Sequence, residues 1–269
     1  MPRVTTDDGC RIAYDLYDFT DPWKPADTVL LVHGLNSNRH IWYRWVPLLA
    51  TRFRVLRFDA RGRGESSVPP KGSRWSLERY ARDIAQLLDA VGVKRVHYVG
   101  TSMGGVIGQY FAARYPRRLR TLVLASAPYR FPAGMTAWAE KIEAIGSYAF
   151  FKEDSTRLLD PKKVHPGLIE WNARLMAATP QRVATSQLRF VAGLDLSKHL
   201  PKITTPTLIL AAGASDRAPL ADTQAMHAMI KSSELVVFDG ANHSIVQMEP
   251  ERCIQAILDF YDRVAARKA

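Results

Sequence analysis

A chain of 269 residues, of which 47% are hydrophobic and 23% charged, suits one large α/β domain, or one such domain that carries an inserted lid. No apolar run approaches the roughly 20 residues that cross a bilayer, which argues against a membrane-spanning protein. The formal net charge is +11, but the basic residues are scattered, and no nucleic-acid motif or zinc-ligand spacing accompanies them. We therefore interpret the charge as a solvated basic surface.

The start of the chain and its cysteines indicate a cellular compartment. Residues 1–8 contain no apolar signal core, so nothing predicts export. The two cysteines, Cys10 and Cys253, are far apart in the sequence and are interpreted as reduced thiols. Both observations favour a cytoplasmic protein.

Strands and helices are predicted to alternate through the first half of the chain. Residues 10–18 alternate between apolar and polar, as in an antiparallel edge strand, whereas the run from Thr28 to Gly34 is continuously apolar, as in a covered parallel strand. Further strands are predicted over 53–59, 96–99 and 119–127, with helices over about 40–51, over 76–91 and from about Met103.

The alternation stops after residue 128 and resumes near residue 205. Helices are predicted over 134–151, 167–178 and 180–193, then strands over 206–213 and 234–239, with helices over 219–230 and 250–266. This order predicts a parallel sheet with helices on both faces. The predicted domains are a core of 1–128 and 205–269, and a helical cap of 129–204 over the carboxyl ends of the strands, where ligands bind in open α/β sheets.

A G-x-S-x-G motif, Gly100-Thr101-Ser102-Met103-Gly104, lies between a predicted strand and a predicted helix. In that context the motif forms a sharp turn that holds the serine in a strained backbone conformation and exposes its hydroxyl. The glycines let strand and helix approach closely because they lack a β-carbon. Ser102 is therefore the predicted nucleophile.

A serine nucleophile needs a base, and the base needs a group that orients it. With this motif the acid and then the histidine follow the serine along the chain. Asp216 comes just after the strand 206–213, whereas Asp222 falls in the following helix and Asp195 in the insert. His243 lies in the loop after the last strand. The predicted triad is Ser102, Asp216 and His243.

The tetrahedral intermediate of acyl transfer needs donors for its oxyanion. We expect the backbone N–H of Met103, directly after the nucleophile, and that of Leu35, in the loop after an earlier strand, to form this oxyanion hole. The positive end of the helix that starts at Met103 is directed at the same point.

Two further segments are distinctive: His33-Gly34, and the strand-to-loop run from Phe58 to Ser66. With the serine motif, Asp216 and Asn242-His243, they resemble the α/β-hydrolase family over essentially the whole chain. The resemblance implies a mostly parallel eight-stranded sheet with helices on both faces and a helical cap inserted between two strands. It also implies a serine esterase or lactonase, similar to bacterial 3-oxoadipate enol-lactonases around residues 53–62.

Other activities of the family are weighed against this one. Carbon–carbon bond hydrolases usually carry a glycine-rich loop where this chain has His33-Gly-Leu-Asn-Ser37, and epoxide hydrolases use an aspartate where it has Ser102. The alternatives that stay open are hydrolysis of a carbon–carbon bond in a meta-cleavage product, and ligand binding with little turnover. A perhydrolase side activity is also compatible with the triad.

The substrate is expected to be a small-molecule ester or lactone, with no metal, cofactor, nucleic acid or membrane required, and a homodimer is one candidate assembly. Residues of the insert and of neighbouring loops are candidates for binding this substrate, although aromatic stripes more often pack helices together. The candidates are Trp42, Trp138, Ile142, Trp171 and Arg130, with Arg39 and Arg217 as further candidates for a substrate carboxylate.

Overall fold

One sheet of eight strands organises the molecule, which we describe from a computed structural model over residues 2–267. Its strands follow the order β1-β2-β4-β3-β5-β6-β7-β8 across the sheet. They are β1 (Arg3–Thr5), β2 (Arg11–Tyr17), β3 (Thr28–Val32), β4 (Arg54–Phe58), β5 (Val96–Thr101), β6 (Leu119–Ala125), β7 (Thr207–Ala212) and β8 (Ser233–Phe238).

The strands from β3 to β8 run parallel, and only the β1-β2 and β2-β4 pairs are antiparallel. All residues of β3, β5 and β7 are buried, which explains why their sequences are mostly apolar. The mostly parallel eight-stranded sheet confirms the predicted fold class. The short strand β1 escaped prediction because three residues without a buried side chain carry no periodic signal.

Helices connect the parallel strands, and the carboxyl ends of those strands therefore meet at one edge of the sheet. The helices are α1 (Trp45–Leu49), α2 (Leu77–Ala90), α3 (Met103–Arg114), α4 (Met135–Ile145), α5 (Ser147–Leu158), α6 (Pro166–Ala177), α7 (Gln181–Val191), α8 (Leu220–Met229), α9 (Ile245–Met248) and α10 (Pro250–Ala266). None of the helices described between residues 2 and 267 has the length and apolarity needed to cross a membrane.

Two predicted helices are divided. The predicted helix over 40–51 is a 3-10 turn over Arg39–Trp42 followed by the short helix α1. The predicted helix over 134–151 is interrupted at Gly146, whose φ of 83° ends α4 and starts α5 in a new direction. Aromatic and aliphatic periodicity continues across this glycine, which is why the pattern predicted one helix.

The four helices α4 to α7 follow one another between β6 and β7. Helix α5 packs on α6, and α4 packs on α7. Their buried side chains belong to the same hydrophobic core as those of the sheet, as Ile142 and Leu188 illustrate. We refer to residues 129–204 as the insert.

Candidate active site

Ser102 lies at the junction between β5 and α3 with φ 51° and ψ −120°, a conformation that L-residues rarely adopt. A β-carbon on Gly100 would lie 2.4 Å from the carbonyl oxygen of Gly104, and one on Gly104 would lie 2.2 Å from that of Val32. Strand and helix are therefore too close for any other residue at these positions. The predicted sharp turn is present.

Hydrogen bonds hold this turn in place from both sides. The Ser102 N–H donates to the carbonyl of Ala125 on β6 (3.0 Å), and the Tyr98 hydroxyl donates to the carbonyl of Gly104 (2.7 Å). The first N–H groups of a helix have no acceptor within the helix, so the N–H of Met103 makes no intrahelical hydrogen bond. The helix start can thus offer a donor next to Ser102.

The loop after β3 lies against the serine. A β-carbon on Gly34 would be 3.3 Å from Cβ of Ser102, so the backbone that leads into Leu35 approaches Ser102 closely. His33 stabilises this loop: its Nδ1 lies 2.8 Å from the Gly34 carbonyl, and its Nε2 accepts from the N–H of Ala60 (3.0 Å). Burial lowers the pKa of His33 to about 4, so its imidazole is neutral at pH 7.

His243 lies in the loop after β8 with 5% of its surface exposed. Burial, followed by the nearby Arg217 cation, lowers the pKa of His243 to about 3. The imidazole is therefore neutral at pH 7, as a general base must be. Its Nδ1 lies 2.9 Å from Oγ of Ser215.

Asp216, the predicted acid, is not the residue that contacts Nδ1 of His243. Its side chain is 61% exposed, and its Oδ1 lies 3.6 Å from Nε of Arg217. Both Asp216 and His243 line the same cavity, but the contact with the imidazole is made by the neighbouring Ser215. Nothing in the sequence analysis had singled out Ser215.

Asp59 directly follows β4 and is completely buried. Its carboxylate accepts from the backbone N–H groups of Arg39 (2.8 Å) and Glu65 (2.9 Å), and forms an ion pair with the Arg39 guanidinium. Asp59 thus stabilises the turns around it. Arg39 forms ion pairs with Asp59 and with Asp15, so it belongs to the core rather than to a substrate site.

Ser102 and His243 face one cavity of about 570 Å³ between the carboxyl edge of the sheet and the insert. Hydrophobic side chains provide most of its wall. Asn36 and Ser37, in the loop after β3, contribute a buried Oδ1 and a buried Oγ that have no hydrogen-bond partner among residues 2–267. The main apolar lining residues are Ile41, Phe131, Met135, Trp138, Phe150, Leu158, Met176 and Leu188.

The charged side chains of the cavity are paired with one another. Arg130 donates to both carboxylate oxygens of Asp222 (3.2 and 2.6 Å). Arg217 forms an ion pair with the buried Asp154 on α5, a residue that the sequence had not singled out. Burial raises the pKa of Asp154, while Arg217 opposes that rise. With Asp216, the described lining contains two cations and three carboxylates.

The structure brings together part of the predicted substrate-binding set. Trp138 and Arg130 line the cavity. Trp42 instead packs edge-on against Trp45 in the core, with 4.9 Å between ring centroids, and Trp171 packs against Tyr43 at 5.4 Å. Ile142 is completely buried in the core. Helical periodicity selected Ile142, but it could not distinguish a cavity wall from a contact between helices.

Comparison with known families agrees with this arrangement. A model described as alpha/beta hydrolase fold matches residues 27–249, which include β3, the serine turn and His243. The chain belongs to the α/β-hydrolase fold family. This match confirms the predicted resemblance. It also supports the general part of the functional prediction, that the protein is a hydrolase of the α/β fold.

Relatives of this α/β-hydrolase cover it almost completely. A 3-oxoadipate enol-lactonase from Acinetobacter baylyi is 26% identical over 239 residues, covering 87% of this chain and 88% of the relative. A hydrolase structure from Pseudomonas aeruginosa is 30% identical with a TM-score of 0.86, covering 97% of both chains. An esterase structure from Thermogutta terrifontis is 30% identical with a TM-score of 0.85, covering 98% of both chains. The α/β-hydrolase is thus similar to enzymes named for ester and lactone hydrolysis.

Proposed function

We propose that this protein hydrolyses a carboxylic ester or lactone, with Ser102 as nucleophile and His243 as general base. The observation that carries the proposal is the strained serine, with φ 51°, at a helix start that faces the same cavity as a buried neutral histidine. Backbone strain of this kind persists only where the surrounding structure imposes it, and it is typical of activated nucleophiles.

The reaction divides into two steps. His243 accepts the Ser102 proton as Oγ attacks the carbonyl carbon, and the imidazolium then gives that proton to the leaving alkoxide, which leaves an acyl-enzyme. Water, deprotonated by His243, attacks the acyl carbon, and the imidazolium then returns that proton to Oγ of Ser102 as the acid is released. No metal or cofactor takes part in either step.

The oxyanion of each tetrahedral intermediate is assigned to the backbone N–H groups of Leu35 and Met103. The close approach of Gly34 to Ser102 supports the first donor, and the free N-terminus of α3 supports the second. Loss of one such donor costs other enzymes about 3 kcal/mol of transition-state stabilisation.

The cavity fits a neutral substrate with an apolar acyl or alcohol group. Arg130 and Arg217, the two arginines at the cavity, are already paired with Asp222 and Asp154. A substrate carboxylate would therefore have to compete with these two carboxylates for the arginines. The unpartnered Oδ1 of Asn36 and Oγ of Ser37 can instead bind an uncharged polar group next to the reacting carbonyl.

The test is hydrolysis of p-nitrophenyl esters of increasing acyl length, together with small lactones. We expect turnover that Ser102→Ala reduces by about 10⁴-fold or more. A matched control is Ser186→Ala on α7, whose hydroxyl binds Nε1 of Trp75 (2.9 Å) outside the cavity lining. Accumulation of an acylated protein, seen by mass spectrometry after rapid quenching, would support the intermediate. Turnover that persists in Ser102→Ala would overturn the proposal.

A further inference from the structure

Two buried side-chain amides lie in the cavity wall, apart from the residues assigned to the reaction. Asn172 on α6 is 2% exposed and Gln247 on α9 is 5% exposed, and both line the cavity that Ser102 and His243 face. Most of this wall is apolar, and a buried polar atom needs a hydrogen-bond partner. The hydrogen bonds of these two amides therefore indicate what the cavity binds.

The partners of Asn172 fix the direction in which its amide faces. Its Nδ2 donates to Oγ of Ser155 on α5 (3.0 Å) and to Sδ of Met176 (3.5 Å), which accounts for both hydrogens of a primary amide. Its Oδ1 is left as an acceptor, and it accepts from Nε2 of Gln247 (3.3 Å). The glutamine amide is therefore oriented with Nε2 towards Asn172.

Gln247 keeps hydrogen-bonding capacity that residues 2–267 do not use. Its Oε1 accepts no hydrogen bond from them, and its Nε2 donates only to Asn172, which leaves a second N–H. One acceptor and one donor are thus available on the same side chain at the cavity wall. A hydroxyl group matches both, because it donates one hydrogen bond and accepts others. A carboxylate does not, since it has no hydrogen to donate to Oε1.

The backbone holds Gln247 close to the general base along the chain. Helix α9 begins two residues after His243, and the N–H of Gln247 donates to the carbonyl of Ser244 (3.0 Å). Nε1 of Trp45 donates to the carbonyl of Val246 (2.7 Å), which attaches this helix to the core. The glutamine is therefore fixed by the core on one side and by the insert, through Asn172, on the other.

We propose that Gln247 is a specificity-determining residue that binds a hydroxyl group of the substrate. The substrate class is then a hydroxylated ester or lactone. This inference rests on the proposed function, since it concerns the substrate of that reaction. Asn172 is the positioning residue of the subsite, because its Oδ1 holds Nε2 of the glutamine. The sequence analysis had selected neither residue.

Pairs of esters that differ by a hydroxyl in place of a methyl group test the subsite on each side of the ester bond. On the acyl side, p-nitrophenyl 3-hydroxybutyrate is compared with the 3-methylbutyrate, and the 6-hydroxyhexanoate with the heptanoate. On the alcohol side, 3-hydroxypropyl butyrate is compared with butyl butyrate, and 6-hydroxyhexyl butyrate with heptyl butyrate, by titration of the released acid. We expect wild type to have the higher kcat/KM for the hydroxylated ester in at least one pair.

Gln247→Met removes the amide and keeps an unbranched side chain of similar length. In the pair that wild type discriminates, we expect it to lower the ratio of kcat/KM for the hydroxyl ester to that for the methyl ester at least tenfold. The kcat/KM for the methyl ester should change less than threefold. Gln187→Met is the matched control, because Gln187 is 3% exposed and binds Tyr80 outside the cavity lining. An unchanged ratio in Gln247→Met, or an equal fall in the control, would overturn the proposal.

Circular dichroism checks that each variant is folded. If Gln247→Met does not fold, Asn172→Leu decides, since the glutamine amide then loses the acceptor that orients it. We expect Asn172→Leu to lower the same ratio at least threefold, and an unchanged ratio would refute the subsite.

Binding to Ser102→Ala separates this inference from the proposed function. Calorimetry with the same ester pairs should give a Kd at least fivefold lower for the hydroxylated ester, and the added Gln247→Met substitution should remove the difference. If Ser102→Ala abolishes turnover but Gln247→Met leaves every ratio unchanged, the serine mechanism stands and the subsite falls. If no ester or lactone is turned over while Gln247-dependent binding is present, the proposed function falls and the subsite stands.

Discussion

The guanidinium of Arg217 lies over the indole ring of Trp138, 4.1 Å from its centroid, and forms an ion pair with Asp154 on the neighbouring helix. A cation stacked on an aromatic face and paired with a buried carboxylate is held on two sides. This contact joins the loop after β7 to helices α4 and α5. The insert and the loop after β7 are therefore joined at the cavity wall.

We expect Arg217→Gln to lower the free energy of unfolding by about 3 kcal/mol, because it leaves Asp154 buried without its cation. The double variant with Asp154→Asn should recover most of the loss. Urea unfolding measures both. Arg130→Gln is the matched control, since that arginine is 54% exposed and surface pairs contribute about 0–1 kcal/mol. Equal losses in the two single variants would contradict the buried pair.

Gly104→Ala should destabilise the protein by about 3 kcal/mol, because the new β-carbon would lie 2.2 Å from the carbonyl oxygen of Val32. That loss corresponds to a fall in Tm of about 6–12 °C. Gly134→Ala is the control: its β-carbon would meet nothing within 4 Å, so its Tm should stay within about 2 °C. Thermal unfolding followed by circular dichroism makes the comparison, and a Gly104→Ala variant with unchanged Tm would refute the tight packing.

Stability should increase between pH 5 and pH 7. Burial lowers the pKa of His33 to about 4 and that of His243 to about 3, whereas both are near 6.5 in the unfolded chain. Below pH 6.5 the unfolded state therefore binds more protons than the folded state, and the free energy of unfolding falls as the pH falls towards the folded pKa values. Above pH 7 these two groups contribute no slope.

Urea unfolding at pH 5, 6, 7 and 8 measures this dependence. His243→Gln removes one of the two groups and should make the slope between pH 5 and pH 7 shallower. A free energy of unfolding that is larger at pH 5 than at pH 7 would show that these histidines are not held neutral.

Neutral esters should be better substrates than anionic ones of the same length. We expect kcat/KM for p-nitrophenyl butyrate to exceed that for mono-p-nitrophenyl succinate at least tenfold, since Arg130 and Arg217 are already paired. Asp222→Asn releases Arg130 and should narrow the difference. A preference for the succinate ester in wild type would mean that the substrate competes successfully with these partners, and would favour an anionic substrate.

The sequence was most informative where chemistry requires a fixed spacing. The glycines around Ser102 follow from a close approach of strand and helix, and the loop that holds His243 follows from the chain order of the motif. Strands covered on both faces, such as β3 and β7, were recognisable because burial favours a continuously apolar run.

The sequence could not predict the orientation of side chains within loops. Ser215 and Asp216 are neighbours, and which of them faces His243 depends on backbone hydrogen bonds to the following loop. The same limit applies to Trp42 and Trp138. Both were marked as apolar, but only the packing of the insert decides that one lies in the core and the other at the cavity.

The position of the insert also affects how the protein folds during its synthesis on the ribosome. Strands β3 to β6 can pair as they emerge, but β7, the partner of β6, follows about 80 residues later. At about 5–20 residues per second, β6 would wait about 4–16 s with an unpaired apolar edge. Nascent chains that have not yet supplied β7 are thus the state in which this protein most needs protection from aggregation.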